Sequence, residues 1–307
     1  MSKRIVVIGA GTIGASWAAY FLARGFEVGA YDPAPNGEAF VRRFIDNAWP
    51  TLEKLKAVQA GADRKRLKFF SEPAAAVRGA DFVQESGPER EDLKIELFAT
   101  LDATLPPETV IATSSSGLLI SRVSAKCKHP QRCVIGHPFN PPHLIPLVEV
   151  VGGAETSPET ISRAMNFYRD IGKHPIHIRK EVRGHVANRL QAALWREAVH
   201  LVADGVVSVA DADAAIAYGP GLRWALMGPH LTFHMAGVEV GMPNFMAHIG
   251  PAIQGWMDDL GQTRLTPEVQ KKIIDGVAEE AAGRSMADLQ RWRDRKLIDI
   301  LKVAGEP

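Results

Sequence analysis

A histidine and a glutamate twelve residues apart are the two side chains of this sequence best suited to proton transfer. His137 ends an apolar run in RCVIGHPFNPPHLIPLVEVVGG, and Glu149 stands inside the second apolar run, LVEVV. Histidine takes up or releases a proton near neutral pH. A carboxylate among apolar strand residues is costly unless a cation or a hydrogen-bond donor meets it. The pattern predicts an acid/base dyad; the alternative is that the two side chains never meet.

A glycine-rich turn near the start of the chain is suited to bind the pyrophosphate of a dinucleotide. GAGTIG follows the apolar run RIVVI and opens a helical pattern. Its glycines permit a tight turn, the approach of a pyrophosphate and close packing of helix on strand, and the first helical N–H groups face the phosphates. Asp32 ends the second apolar run, where a carboxylate accepts from the ribose hydroxyls and favours NAD over NADP; the alternative is a solvated turn residue. The predicted cofactor residues here are Gly9, Gly11, Thr12, Ile13, Gly14 and Asp32.

The elements that position these residues follow from hydrophobic periodicity. Short β-branched runs alternate with helical patterns, which is typical of βα units around a parallel sheet. The predicted strands span 4–8, 27–31, 67–70, 81–85, 110–112, 133–136, 147–151 and 173–178, and the predicted helices span 13–24, 37–60, 89–103 and 158–171. From residue 184 the pattern is helical, with Ser208 as one cap and a break between two helices around 282–283. We therefore predict an α/β chain with a Rossmann-type, doubly wound, mainly parallel sheet in domain 1–182 and an all-helical domain in 183–307.

Several motifs in matching order give the chain a resemblance, over its whole length, to the 3-hydroxyacyl-CoA dehydrogenase family. They are ATSSSGLL, HPFNP, LVEVV, GHVANRL and QESGPEREDLK. The resemblance implies catalytic roles for Ser116, His137, Glu149 and Asn188, and cofactor-side roles for Glu89, Lys94 and Asn140.

For such an enzyme, His137 accepts the hydroxyl proton while hydride passes from the same carbon to NAD+. Glu149 orients the imidazole and stabilises its cationic form. Ser116 and Asn188 hydrogen-bond the substrate oxygen or the histidine. The alternatives are that Ser116 only caps a helix and that Asn188 is a capping or core amide.

The second half of the chain resembles a branch of that family that acts on small free 3-hydroxy acids, carnitine-like first and gulonate-like next. Arg223 is a candidate clamp for a substrate carboxylate, with a structural or intersubunit ion pair as the alternative. Trp195 and Trp224 are candidate cation–π partners of a quaternary ammonium, or else core aromatics. Two other hypotheses remain: an enzyme that acts on acyl-CoA thioesters, and a crystallin-like structural protein that binds a nucleotide.

Composition excludes several other classes. Lys plus Arg number 36 and Asp plus Glu 35, so the net charge of +1 indicates neither a nucleic-acid nor an acidic-membrane partner. Two cysteines without a Cys/His cluster predict no metal site and a reducing, cytoplasmic setting. Three glycines interrupt the apolar stretch 5–23, so we predict no membrane segment. The partners expected are a small hydroxy acid and a second copy in a homodimer, and His143, His174, His185 and His200 are expected at the surface or fully hydrogen-bonded in the core.

Overall fold

One eight-stranded sheet organises the first part of the molecule. The computed structural model describes residues 3–304. Its strands are β1 (Arg4–Ile8), β2 (Glu27–Tyr31), β3 (Leu67–Phe70), β4 (Phe82–Glu85), β5 (Val110–Thr113), β6 (Cys133–Pro138), β7 (Leu147–Val151) and β8 (His174–Ile178). The order across the sheet is β3-β2-β1-β4-β5-β6-β7-β8. All neighbours pair in parallel except β6 and β7, which are antiparallel.

Helices cover both faces of this sheet. They are α1 (Thr12–Ala23), α2 (Gly37–Lys54), α3 (Pro73–Val77), α4 (Glu91–Thr104), α5 (Ile120–Val123) and α6 (Pro158–Asp170), with short 3₁₀ turns at Arg64–Arg66 and Pro130–Arg132. β1 is buried on both sides: Ile5 and Val7 enter one hydrophobic core, while Val6 and Ile8 enter the other. Burial on both faces explains why β1 is a continuous apolar run rather than an alternating one. The predicted α/β class is confirmed.

The chain divides into two compact units, the first ending at Asn188 and the second beginning at Arg189. Among the residues described as far as 304, the second unit contains helices and turns but no strand. The helices are α7 (Ala187–Ala203, which starts in the first unit), α8 (Val209–Ala217), α9 (Pro220–Trp224), α10 (Pro229–Ala236), α11 (Met242–His248), α12 (Gly250–Asp259), α13 (Pro267–Ala281) and α14 (Met286–Ala304), with a 3₁₀ turn at Val238–Val240. Ser208 caps α8 by accepting from the backbone N–H of Asp211, as its sequence position predicts. The predicted break between the last two helices is also confirmed, because Ala282 is left-handed.

Several element boundaries differ from the sequence-based expectation. The helix predicted over 37–60 ends at Lys54, since Lys56 takes a left-handed φ of 55° that stops helical propagation. β6 continues two residues beyond the predicted 133–136, because its ladder with β7 extends to Pro138. The helix expected from Gly184 begins only at Ala187. In the part of the chain that the structure describes, no helix combines the length and apolar character needed to cross a membrane.

Candidate active site

The antiparallel register of β6 and β7 brings His137 and Glu149 together. These two residues are direct cross-strand partners, so their side chains project from the same face of the sheet. Nδ1 of His137 lies 2.8 Å from Oε2 of Glu149. His137 is 5% exposed and Glu149 is fully buried. The spacing of twelve residues is therefore the length of a hairpin whose two strands place an imidazole against a carboxylate.

The second carboxylate oxygen of Glu149 is held by the start of α7. Oε1 accepts from the backbone N–H groups of Val186 at 2.9 Å and Ala187 at 2.8 Å. Burial alone would raise the pKa of Glu149, but the hydrogen bonds from His137 and these two amides outweigh burial and hold that pKa below its usual value. Glu149 is therefore ionised at neutral pH. Because a carboxylate only accepts, Nδ1 of His137 carries a hydrogen and Nε2 is left as the basic nitrogen.

A serine hydroxyl lies within hydrogen-bond distance of that basic nitrogen. Oγ of Ser116 lies 3.1 Å from Nε2 of His137, and Ser116 itself is exposed. A substrate hydroxyl placed beside Ser116 would thus meet both groups. Asn188, the second residue of α7, is half-buried, and its amide forms no hydrogen bond with any residue in 3–304. Hydrogen bonds join three of the four predicted catalytic side chains, His137, Glu149 and Ser116, and Asn188 has no hydrogen bond to them.

The glycine-rich turn has the shape that a dinucleotide phosphate requires. A Cβ on Gly14 would lie 1.8 Å from the carbonyl oxygen of Gly9, so close packing of α1 on β1 needs glycine there. A Cβ on Gly11 would meet nothing within 4 Å, which leaves open space on the side of the turn where a ligand approaches. Gly11 is also the N-cap of α1, and no side chain caps that terminus. Thr12 and Ile13 form the first turn of α1 and complete a cradle of N–H groups.

Asp32 stands beside this cradle at the end of β2. Its Oδ2 accepts from the backbone N–H of Ala10 at 2.8 Å, and its Oδ1 accepts from that of Ala34 at 2.9 Å. These two bonds fix the carboxylate while leaving it half-buried. The residues present fit the adenosine ribose of NAD. A fixed carboxylate here accepts hydrogen bonds from the ribose hydroxyls and repels the 2′-phosphate of NADP.

The three residues predicted on the cofactor side have different environments. Glu89 is exposed, and its Oε1 accepts from Oγ of Ser115 at 2.6 Å and from the N–H of Gly117 at 2.8 Å. Asn140 is exposed on the loop after β6. Lys94 is only 2% exposed, and its Nζ donates to both carboxylate oxygens of Glu85, at 2.7 and 2.8 Å. Lys94 therefore neutralises a buried carboxylate behind the glycine-rich turn.

One residue of the site is not recognised from the sequence. The expectation that His185 is a surface or fully bonded core histidine is wrong. His185 is 1% exposed, its ring centroid lies 5.2 Å from that of His137, and its Nδ1 has no hydrogen-bond partner among the described residues. By contrast His143, also buried, is bonded through Nδ1 to Oγ of Ser16 at 2.8 Å. The sequence offers no specific signal for this placement, because a single histidine after a glycine is not diagnostic of an active site.

The predicted substrate-side residues lie in the second unit. Arg223 is exposed on α9 and forms no ion pair within residues 3–304. Trp195 on α7 is 51% exposed and Trp224 on α9 is 37% exposed. All three side chains are therefore accessible in the chain by itself, which fits a ligand role better than a core role.

Comparison with known proteins identifies the class. A family model described as the 3-hydroxyacyl-CoA dehydrogenase NAD binding domain matches residues 4–182, and the model of the C-terminal domain of the same family matches residues 184–288. An L-carnitine dehydrogenase of Streptomyces griseus is 49% identical over 99% of this chain and 90% of its own length. An L-carnitine dehydrogenase of a Pseudomonas species is 47% identical over 99% of this chain and 94% of its own length.

A solved structure extends the similarity to three dimensions. The crystal structure of 5-formyl-3-hydroxy-2-methylpyridine 4-carboxylic acid 5-dehydrogenase, an NAD+ dependent dismutase, has a TM-score of 0.85 and 30% identity over 99% of both chains. Together these matches define an NAD-dependent oxidoreductase that acts on a CH–OH group. The chain belongs to the 3-hydroxyacyl-CoA dehydrogenase family, so the resemblance inferred from the motifs and the predicted cofactor are both confirmed.

Proposed function

We propose that this chain interconverts L-carnitine, a small free 3-hydroxy acid, and its 3-keto acid with NAD as the hydride carrier. The single observation that carries the choice of substrate is identity of 47–49% over nearly the full length to relatives named L-carnitine dehydrogenase. The hydrogen-bonded pair of His137 and Glu149 supports the proton-transfer half of the chemistry.

The mechanism follows from the atoms around Nε2 of His137. NAD+, when bound at the glycine-rich turn, supplies the hydride acceptor. Neutral His137 accepts the proton of the 3-hydroxyl at Nε2 as the C–H bond breaks with its electron pair and the carbonyl forms. Glu149 stabilises the imidazolium through Nδ1, and it needs no rearrangement because two backbone amides already hold it. Ser116 orients the reacting oxygen toward His137.

Substrate selection is assigned to the second unit. Carnitine carries a carboxylate at one end and a trimethylammonium group at the other. Arg223, which has no ion pair inside the described chain, suits the carboxylate, because a guanidinium binds two oxygens in one plane. Trp195 or Trp224 suits the ammonium group, which cannot donate a hydrogen bond and is attracted to an aromatic face.

The test is a panel of hydroxy acids, each incubated with NAD+, in which NADH formation is monitored by its absorbance. The panel contains L-carnitine, L-gulonate, 3-hydroxybutyrate and 3-hydroxybutyryl-CoA. We expect kcat/KM to be highest for L-carnitine. A higher value for 3-hydroxybutyryl-CoA would overturn the free-acid assignment. If none of the four compounds reduces NAD+ to NADH, the proposed function is overturned. His137→Gln should retain NAD binding while kcat falls by about 10²–10⁴, the usual contribution of a general base.

Arg223→Ala tests the carboxylate clamp separately. We expect KM for L-carnitine to rise by about tenfold or more, which corresponds to the loss of one charge-assisted interaction. Arg223→Lys keeps the charge and loses the paired geometry, so an intermediate KM is expected. Equal effects on L-carnitine and on 3-hydroxybutyryl-CoA, which has no free carboxylate there, would remove Arg223 from substrate binding.

We also propose a cytoplasmic homodimer. The segment from α9 to α12 exposes many large apolar side chains, which in a soluble enzyme mark an interaction surface; they are Leu222, Leu226, Leu231, Met235, Met246, Trp256 and Met257. Light scattering after size exclusion should give twice the chain mass, and a monomer at micromolar concentration would contradict the dimer. The cysteine usage supports a reducing compartment, because two cysteines six residues apart provide no disulfide framework.

A further inference from the structure

His185 is a second histidine packed against the acid/base histidine. The two rings are 5.2 Å apart between centroids and inclined by 51°. His185 also has a left-handed φ of 51°, directly after Gly184 with φ of 76°. Residues other than glycine are seldom held in this region, and when they are, the surrounding structure must stabilise them. The environment of His185 therefore fixes both its backbone and its ring.

The hydrogen bonds of His185 define its protonation state. Nε2 lies 2.9 Å from the carbonyl oxygen of Ser115. A carbonyl oxygen only accepts, so Nε2 carries a hydrogen. Burial, opposed by that bond, lowers the pKa of His185 below its usual value. His185 is thus a neutral ring in a single tautomer, and it adds no positive charge next to His137.

The carbonyl that His185 holds belongs to the peptide that carries Ser116. Ser115 is 1% exposed and is fixed from the other side as well, because its Oγ donates to Glu89 and its N–H donates to Oγ1 of Thr113 at 3.1 Å. Ser116 itself is exposed and has no such support. Orientation of the Ser115–Ser116 peptide therefore decides where the Ser116 hydroxyl lies relative to Nε2 of His137.

The two residues after His185 act, through Glu149, on Nδ1 of the His137 ring. Val186 and Ala187 donate their N–H groups to Glu149, which in turn binds Nδ1 of His137. One short segment thus supports the dyad from both ends.

We propose that His185 is a positioning residue of this dehydrogenase: through the Ser115 carbonyl it holds the Ser116 hydroxyl at Nε2 of His137. The proposal rests on the proposed function, in which Nε2 receives the substrate proton. Phenylalanine keeps a planar ring, slightly larger than the imidazole, but leaves the buried carbonyl of Ser115 without a donor. Glutamine offers an amide N–H at nearly the same distance from the backbone as Nε2 of histidine.

The experiment compares His185→Phe, His185→Gln, Ser116→Ala and the double variant His185→Phe/Ser116→Ala. With L-carnitine, we expect kcat to fall 10- to 100-fold in His185→Phe, about 1.4–2.7 kcal/mol of transition-state stabilisation, and less than threefold in His185→Gln. In the Ser116→Ala background, His185→Phe should change kcat by less than threefold. A residue that only maintains the fold would instead multiply the effect of Ser116→Ala. Multiplicative effects, a glutamine variant as impaired as the phenylalanine variant, or an unimpaired Ser116→Ala would each overturn the proposal.

A measurement that needs no substrate separates this proposal from the assignment of L-carnitine. Ring ¹⁵N shifts of the wild-type protein should give the Nε2–H tautomer for His185 at pH 7.5, and the Nδ1–H tautomer or a protonated ring would overturn the proposal. If the tautomer is as expected but L-carnitine is not oxidised, the substrate assignment fails. The same variants are then compared on the panel member that is oxidised. NAD binding by fluorescence and melting temperature identify any variant that fails to fold.

Discussion

Replacement of Glu149 by glutamine changes one charge in the most connected part of the site. The carboxylate accepts three hydrogen bonds, from Nδ1 of His137 and from the N–H groups of Val186 and Ala187. A glutamine oxygen can replace Oε1 against the two amides. Its NH₂ group then faces Nδ1, which must give up its hydrogen to accept. The substitution therefore drives His137 into the opposite tautomer, in which Nε2 is protonated and cannot take a proton from the substrate.

The magnitude has two parts. The charge-assisted hydrogen bond that stabilises the imidazolium is worth about 1.5–3 kcal/mol, which is about 10- to 150-fold in rate. The wrong tautomer adds to this, and the corresponding aspartate-to-asparagine change in hydrolase triads costs about 10⁴. We expect kcat of Glu149→Gln to fall by about 10²–10⁴, with the affinity for NAD unchanged because the glycine-rich turn is untouched.

The assay is steady-state NADH formation at pH 7.5 with saturating L-carnitine, together with NAD binding by fluorescence. Glu149→Asp is the matched control, because it keeps the charge and shortens the side chain by one methylene. It should retain more activity than the glutamine variant. If Glu149→Gln keeps kcat within tenfold of the wild-type value, or if the aspartate variant is the more impaired, then Glu149 does not set the tautomer of His137.

Three further predictions test other parts of the structure. Gly11→Ala should weaken NAD binding at an unchanged melting temperature, whereas Gly14→Ala, with its Cβ 1.8 Å from a carbonyl oxygen, should lower the melting temperature; the reverse pattern would contradict the assigned glycine roles. Burial lowers the pKa of Lys173 to about 7 from an unfolded value of 10.5, so between these pH values only the unfolded chain binds the proton and stability rises with pH. In urea unfolding, the free energy of unfolding of the wild type, measured relative to Lys173→Met, should rise by ~2 kcal/mol from pH 7 to pH 9. A fall over this range would contradict the lowered pKa of Lys173. Lys94→Met should cost about 3–5 kcal/mol because Glu85 is left charged and buried, and the double variant with Glu85→Gln should recover most of this loss in the same assay.

The part of the fold that periodicity records could be predicted from the sequence. β1 is recorded as the apolar run RIVVI, and the turn GAGTIG marks where β1 passes into α1. The end of β6 could not be predicted in this way. His137 and Pro138 are not strand formers by composition, and they are strand residues only because β7 pairs with them.

The same limit applies to the site. The chemistry of His137 and Glu149 already shows that they are suited to each other. The hydrogen bonds from Val186 and Ala187 to the Glu149 carboxylate depend instead on contacts between residues 37 and 38 positions apart. Lys94 illustrates the converse. Its motif indicated a cofactor-side residue, whereas its partner, Glu85, is recognisable only when the interior packing is known. The place of His185 in the site is not predicted, because a lone histidine has no pattern by which the sequence can distinguish an active-site neighbour from a core residue.

The antiparallel pairing of β6 with β7 also determines which changes in chain length the enzyme can accept. Side chains alternate between the two faces of a strand, so one residue added or removed between His137 and the end of β6, or between the start of β7 and Glu149, would turn one member of the pair away from the other. The eight residues from Phe139 to Pro146 that join the strands carry no such parity requirement. Within this hairpin, insertions that preserve proton transfer are therefore expected only in the connection, where Lys173 donates to the carbonyl groups of Pro142 and Ile145.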